Sequence, residues 1–226
     1  MSIYRLSESH IRRPHSALGA AAYRSGECLE YAGESFDYTW RKDVICTGIM
    51  LPIDAPQEFS DRQTLWCAAE KAEDFSTRRK TARIAHEVLI SLPRELTFDT
   101  SITMAKEFMR NCFVSKGMCV DFAVHDGNGK KDGQRNTDLT EMSFHNPHCH
   151  IMLTTRHVSS EGFSKNKARE WESWNNPTLL LQWREEWRDI LNRTLERKGF
   201  NRVPHQKREI NREFRGNKRE KCRERI

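Results

Sequence analysis

The sequence contains no run of about 18 or more apolar residues, the length that a membrane-spanning helix requires. Its first residues, MSIYRLSESHIRR, also lack an apolar stretch of signal-peptide length. These two absences argue against an integral membrane protein and against a secreted one. We therefore predict no membrane span and expect the protein in the cytoplasm. Hydrophobic residues make up 37% of the 226 residues, which is low but sufficient for one packed core.

Closely spaced cysteine pairs are missing as well. The seven cysteines include no C-x-x-C pair, and their spacing is scattered. An odd, scattered set argues against a disulfide framework and against a zinc site built only from cysteines. We expect most of these thiols to be small buried side chains in a reducing compartment.

Positive charge is concentrated at the C-terminal end. The chain carries a formal net charge of +6, whereas residues 193–226 alone carry thirteen Lys or Arg and five Asp or Glu, a net of +8. We divide the chain into a domain at residues 1–200 and a basic C-terminal tail at residues 201–226. Such a tail is typical of proteins that bind nucleic acid or an acidic surface, and equally of a solvated tail without a specific partner.

The pattern of apolar residues predicts interspersed strands and helices. Strands are predicted at residues 2–6, 44–50, 86–92, 118–125 and 148–156. Four helices are predicted. The first covers residues 17–31 behind an N-cap at Ser16, and the second follows a capping box at Ser60 and Gln63. The third covers residues 102–113, and the fourth runs from Asn176 and Pro177 to Gly199. The polar residues 32–43 are expected to form a connection. Together these elements predict an α+β domain with a mainly antiparallel sheet.

Three histidines are the sharpest chemical signal. His148 and His150 form an H-x-H in a predicted strand, so both side chains point to one face. Alternation in the preceding strand, MCVDFAVH, places His125 on its more polar face, and that strand is predicted to be half buried. Three imidazoles from paired strands would hold a metal and leave positions open for a substrate oxygen. The alternatives are that these are ordinary polar strand residues, or that His145 from the intervening loop takes the third position.

Two further residues have both a chemical and a structural interpretation. Tyr23 lies among small residues in AAAYRSG, where it could be a nucleophile or a ring packed in the core. A tyrosine nucleophile needs a nearby cation to favour its phenolate form. Glu87 begins the strand residues EVLISL. It could accept a hydrogen bond from a ligand histidine, assist a proton transfer, or be an exposed carboxylate.

The sequence resembles the MobA/MobL family of plasmid mobilisation relaxases, which belongs to the HUH endonuclease superfamily. The matching segments are AAAYRSGE, DYT, EVLISLPREL, FVSKGMCVDFAVHD, NPHCHIMLTTR and WREEWRDILNRTLERKG, in family order over about residues 1–200. The resemblance implies a five-stranded antiparallel sheet with helices packed on one face. The loop at residues 126–147 is longer than the family pattern, and the C-terminal end lacks the family's D-H-R-S type continuation.

The resemblance also implies a chemistry. Tyr23 matches the nucleophile, His125, His148 and His150 match the metal ligands, and Glu87 matches an acidic residue beside them. Histidine ligands suit Mn, Zn, Ni or Co, and the family implies a divalent ion with Mn or Mg in use. The expected activity is metal-assisted nicking of single-stranded DNA at a plasmid transfer origin, with a resealable 5′-phosphotyrosine intermediate. Arg12, Arg13 and Arg24 are expected to bind the DNA backbone.

The expected partners of a monomeric relaxase are accessory relaxosome proteins and a coupling protein. A rolling-circle replication initiator or a transposase of the same superfamily is the alternative enzyme, because it would use the same site on another DNA. A non-catalytic nucleic-acid-binding protein with a structural metal is the alternative of another class.

Overall fold

A five-stranded antiparallel sheet forms the centre of the protein, for which a computed structural model describes residues 4–74, 79–127, 146–172, 176 and 178–203. Its strands are β1 (Leu6–Arg12), β4 (Val44–Met50), β5 (Arg83–Ser91), β6 (Val120–His125) and β7 (His148–Thr154). Their spatial order is β1-β5-β7-β6-β4, and every neighbouring pair is antiparallel. Two small hairpins accompany the sheet: β2 (Cys28–Tyr31) with β3 (Glu34–Asp37), and β8 (Val158–Ser159) with β9 (Gly162–Phe163).

Four α-helices of the described residues pack on this sheet as two pairs, one on each face. They are α1 (Ala17–Ser25), α2 (Arg62–Asp74), α3 (Phe98–Cys112) and α4 (Leu179–Arg197). One core joins α3 and α4 to side chains such as Val88, Phe122 and Ile151, while a second joins α1 and α2 to Ala85 and Met152. The predicted α+β class with a five-stranded antiparallel sheet is confirmed. Helices cover both faces instead of one, so all six residues of β6 are buried and the predicted half-buried strand is wrong.

Helix α1 begins where the sequence predicts and ends earlier. The Ser16 side chain accepts hydrogen bonds from the backbone N–H groups of Leu18 and Gly19. At the other end Gly26 adopts a left-handed conformation with φ 71°, and its N–H donates to the carbonyl of Ala22. This glycine stops the helix, so the residues expected to extend it to position 31 form β2, and part of the expected polar connection forms β3.

Several element boundaries differ from the sequence prediction. The first strand is Leu6–Arg12, not residues 2–6, of which residues 2–3 lie outside the described part of the chain. At α2 the cap is Asp61, whose Oδ1 accepts the N–H of Thr64 at 2.8 Å, while the Ser60 hydroxyl donates to the carbonyl of Gln57. Helix α4 begins at Leu179, two residues later than a helix starting at Pro177.

The end of the described chain packs against α4. Gly199 takes the predicted left-handed conformation, with φ 78°. Val203 is buried, and its N–H donates to Asn192 Oδ1 at 2.7 Å. Packed residues therefore continue to position 203, beyond the predicted boundary at 200, and residues 204–226 of the basic tail lie outside the described residues. Among the described residues, no helix is long and apolar enough to cross a membrane.

A buried ion pair attaches α2 to the sheet. The Arg62 guanidinium donates through Nε and Nη2 to the Asp121 carboxylate at 2.9–3.0 Å, and Trp66 Nε1 donates to the same carboxylate at 2.8 Å. Both charged side chains are almost fully buried. Arg62 Nη1 also donates to Glu27, whose side chain is 43% exposed. Removing Asp121 would leave that exposed carboxylate as the charged partner of a buried guanidinium, and an undercompensated buried charge is more damaging than the loss of the bond itself.

We therefore expect Asp121→Asn to lower the free energy of unfolding by about 3–5 kcal/mol, the range for breaking a buried pair. Urea unfolding followed by circular dichroism measures this change. The matched control is Asp54→Asn, because Asp54 is an exposed loop carboxylate, and a surface change of this kind shifts stability by less than about 0.5 kcal/mol. Equal stabilities for the two variants would contradict the assigned role of Asp121.

Candidate active site

The three predicted histidines lie together on the α1 face of the sheet. His125 is the last residue of β6 and pairs in register with His148 on β7, while His150 lies opposite Ala123. Their ring centroids are 4.9–5.3 Å apart, and one possible ligand atom from each lies within 4.8 Å of the others. His125 is fully buried, whereas His148 and His150 are partly exposed. The cluster thus has a closed side in the protein and an open side toward solvent.

Hydrogen bonds fix which nitrogen of each ring keeps its lone pair. His148 Nδ1–H donates to the carbonyl of Asn146 at 2.6 Å, and His150 Nδ1–H donates to Glu87 Oε1 at 2.7 Å. His125 Nε2–H donates to the carbonyl of Arg24 at 2.7 Å. Because neither a carbonyl nor an ionised carboxylate can donate, His148 Nε2 and His150 Nε2 are unprotonated potential ligands. His125 Nδ1 is unprotonated by the same argument, and it lies 3.5 Å from the Arg41 guanidinium.

Burial favours the neutral form of two of these imidazoles, those of His125 and His150. Burial lowers the pKa of His125 to about 4, despite the hydrogen bond to the carbonyl of Arg24. Burial also lowers the pKa of His150, against the opposing effect of Glu87. Neutral imidazole is the form that binds a metal. Together with His148, whose Nδ1–H is held by the carbonyl of Asn146, these rings form a set of three oriented imidazoles that fits a divalent metal ion.

Glu87 connects the histidine cluster to α1. Its Oε1 accepts from His150 and also from Arg24 Nε at 2.6 Å, and its Oε2 accepts from the Ser9 hydroxyl. Although burial alone raises the pKa of the Glu87 carboxyl, the hydrogen bonds from His150 and Arg24 hold it well below its usual range. A carboxylate that stays ionised is a poor proton carrier near neutral pH. Of the roles considered from the sequence, the geometry favours the positioning of His150.

Tyr23 lies on the last turn of α1, one residue before Arg24. Its side chain is 38% exposed, so it is not the buried core ring of the alternative interpretation. The adjacent residue contacts the cluster twice, through its carbonyl to His125 and through its guanidinium to Glu87. The helix end that carries Tyr23 is thereby fixed beside the histidines.

Three residues around Tyr23 were not predicted from the sequence as part of the site. The Arg41 guanidinium carbon lies 4.1 Å from the centroid of the Tyr23 ring, and Tyr38 packs edge-on against that ring at 5.2 Å. Asp43 holds Arg41 through two hydrogen bonds of 2.5 and 3.0 Å. Arg41 Nη2 also lies 3.5 Å from His125 Nδ1. The only hint in the sequence was DYT among the family-like segments, because these residues lie in the stretch expected to be a connection.

The three predicted DNA-binding arginines have different surroundings. Arg12 is exposed at the end of β1. Arg13 forms an ion pair with Asp74 at 2.7 Å and with Glu70 at 3.5 Å. Arg24 is committed to Glu87 and to the carbonyl of Ala20. His145, the alternative ligand, lies outside the described residues, as does most of the loop at 126–147.

Comparison with known proteins gives one consistent family. The MobA/MobL family matches residues 15–213. The chain is 32% identical to a probable mobilization protein MobA of Bifidobacterium longum over 75% of this chain and 28% of that protein. It is 31% identical to mobilization protein MobL of Acidithiobacillus ferridurans over 88% of this chain and 56% of that protein. The chain thus spans from about a quarter to just over half of these relatives.

A solved structure has the same fold. It comes from work on the molecular basis of vancomycin resistance transfer in Staphylococcus aureus. It matches 90% of this chain and 98% of its own chain, with a TM-score of 0.74 and 26% sequence identity. The similarity therefore extends over nearly the whole of both chains.

We expect Glu87→Gln to weaken binding of Mn²⁺ by about 10- to 100-fold, the usual effect of removing a carboxylate that orients a ligand histidine. The amide keeps the size of the side chain but loses the charge that holds both His150 and Arg24. Isothermal titration with Mn²⁺ measures the affinity. Glu161→Gln is the matched control, since Glu161 is exposed in the β8–β9 turn. Unchanged affinity in Glu87→Gln would remove this residue from the metal site.

Proposed function

The chain belongs to the MobA/MobL family, and from that premise we propose that it is a mobilisation relaxase. It nicks single-stranded DNA at a plasmid transfer origin, using Tyr23 as the nucleophile beside a divalent metal held by His125, His148 and His150. The observation that carries the proposal is the attachment of the Tyr23 helix end to the histidine cluster through Arg24.

The proposed reaction exchanges one phosphate ester for another. Tyr23 Oη loses its proton and attacks phosphorus, forming a new bond to phosphorus as the bond to the 3′-oxygen breaks. The leaving 3′-oxygen takes up a proton, and the 5′-phosphate stays joined to Tyr23. Because the number of phosphate ester bonds is unchanged, the reverse step reseals the strand without ATP.

A divalent ion would neutralise charge on the scissile phosphate. The proposed ion is Mn or Mg, with Zn, Ni or Co as alternatives. The protein's own side chains supply position. Glu87 orients His150, and Tyr38 with Arg41 restricts the Tyr23 ring from two sides. A ring fixed before substrate arrives lowers the entropic cost of reaching the in-line geometry. The partial exposure of Tyr23 suits a nucleophile that must meet a phosphate on a separate strand.

Substrate binding is proposed to use Arg12 and the basic tail. The ion pairs of Arg13 and Arg24 reduce the charge that these two residues can offer to phosphates. The tail's density of Lys and Arg suits contact with the DNA backbone. A single strand is the expected substrate, because the scissile phosphate must be exposed to reach Tyr23. Accessory relaxosome proteins and a coupling protein remain predicted partners.

We expect Tyr23→Phe to abolish the covalent protein–DNA adduct while DNA affinity changes little, because only the attacking oxygen is removed. The assay incubates the chain with transfer-origin oligonucleotides and Mn²⁺ or Mg²⁺ and detects the adduct on a denaturing gel.

Two tyrosine controls sharpen this test. Tyr31 lies on the β2 hairpin, so Tyr31→Phe should leave the adduct yield unchanged. Tyr38 lies beside the Tyr23 ring, and Tyr38→Phe should also keep the activity. Undiminished adduct in Tyr23→Phe would assign the chemistry to another group. Metal-dependent DNA binding by the wild type without any adduct would favour a non-catalytic binding protein.

We expect deletion of residues 204–226 to flatten the dependence of log affinity on log salt. Each phosphate neutralised on a single strand contributes about 0.7 to that slope, so roughly three contacts correspond to a change of about 2. Fluorescence anisotropy with a labelled single strand across a salt series measures both slopes. Cleavage at saturating substrate should persist, because Tyr23 and the histidines lie elsewhere.

The truncation point keeps Val203, which packs on α4. Thermal unfolding of the truncated chain serves as the control for stability. Identical salt slopes would show that the tail does not contact DNA, and a large fall in melting temperature would show that it supports the domain.

A further inference from the structure

A second cluster of ligand-type side chains lies on the opposite face of the sheet. Glu8 and His10 alternate along β1, and His86 on β5 pairs in register with His10. They share their face with Leu6 and Val88, which belong to the α3–α4 core. Helix α4 runs close by, since Arg184 Nε donates to the carbonyl of Leu6 at 3.3 Å. Neither the family match nor the proposed reaction assigns these three residues a function.

The geometry of this cluster suits a shared ion better than direct hydrogen bonds. Glu8 Oε1 lies 3.5 Å from His86 Nδ1 and 3.6 Å from His10 Nε2. These separations exceed ordinary N–H···O hydrogen bonds, which are about 2.7–3.2 Å. Two ligands bound tetrahedrally at roughly 2.1 Å from one ion are about 3.4 Å apart. All three ligand atoms lie within 4.8 Å of one another.

Burial makes the cluster chemically demanding. The side-chain exposures are 5% for Glu8, 16% for His10 and 2% for His86. Within the described residues, the buried His86 Nδ1 makes no hydrogen bond. A buried polar atom without a hydrogen bond is costly, and a metal ion would satisfy it.

We propose that Glu8, His10 and His86 bind a second divalent metal ion, separate from the one beside Tyr23. Two imidazole nitrogens and one carboxylate oxygen suit Zn²⁺ and also Mn²⁺, Fe²⁺ or Co²⁺. The ligands come from the edge strand β1 and its neighbour β5. A bound ion would therefore tie the edge of the sheet to its interior, independently of the proposed relaxase activity.

The competing explanation is a metal-free polar network. Arg12 and Arg83 carry the positive charges that act on His10, and Arg83 also acts on Glu8. If these guanidinium groups balance the Glu8 carboxylate, the cluster needs no cation. The two explanations differ in whether zinc binds to the protein when the first cluster is removed.

The test uses the full chain carrying His148→Ala and His150→Ala, which removes the histidine cluster beside Tyr23. Zinc binding is measured by equilibrium dialysis and elemental analysis, and thermal unfolding is followed with and without Zn²⁺. We expect one tightly bound zinc per chain and a higher melting temperature with zinc. Addition of either His10→Ala or Glu8→Gln should abolish both effects. His15→Ala, which alters an exposed histidine, is the matched control and should abolish neither.

Each outcome decides the proposal. The proposal is wrong if the double variant binds no zinc. It is also wrong if zinc binding is equally strong after His10→Ala is added and after Glu8→Gln is added. Circular dichroism of the metal-free variants shows whether they fold, and Glu8→Gln preserves the shape of the side chain should His10→Ala unfold the protein. Failure of the adduct assay with Tyr23 would not affect this result, because zinc binding here is measured without DNA.

Discussion

The attachment of one helix end to one strand cluster is the constraint on which the site depends. Arg24 accepts from His125 through its carbonyl and donates to Glu87 through its guanidinium, and Glu87 in turn orients His150. A single residue thus joins α1, β5, β6 and β7. Because backbone and side chain of Arg24 are both engaged, neither the position nor the rotation of the helix end is free. This attachment places the adjacent Tyr23 beside the histidines.

Buried ion pairs supplement the apolar packing on one face of the sheet. On the site face, ion pairs fix both helices: Arg24 with Glu87 for α1, and Arg62 with Asp121 for α2. On the other face, large apolar side chains such as Phe108 and Trp187 dominate the contact with α3 and α4. Apolar packing is strong but tolerant of small shifts, whereas a buried ion pair stabilises only one geometry. Geometric specificity is therefore concentrated where the chemistry requires it.

Local patterns predicted much of this arrangement, and long-range contacts account for what they missed. The H-x-H spacing and the alternation in β6 place His148, His150 and His125 on one face, because side-chain direction in a strand is a local property. Arg41 reaches the Tyr23 ring only through the path of the chain after β3, which no spacing encodes. The burial of β6 on both faces depends on where α1 and α2 dock. The second cluster was missed because the first strand was predicted to end at Leu6, before Glu8 and His10.

Strand β5 contributes to both sides of the sheet with consecutive residues, since His86 and Glu87 point in opposite directions. It pairs with β1 on one side and β7 on the other along its length. An insertion or deletion of one residue within it would move each of these side chains to the other face of the sheet. The imidazole of His86 would then face α1, and the carboxylate of Glu87 would face the apolar core. The length of this strand is consequently under a double constraint, whereas connections that only join strand ends can change length without altering either cluster. Sequence drift in such a protein should accumulate in its loops and leave β5 in register.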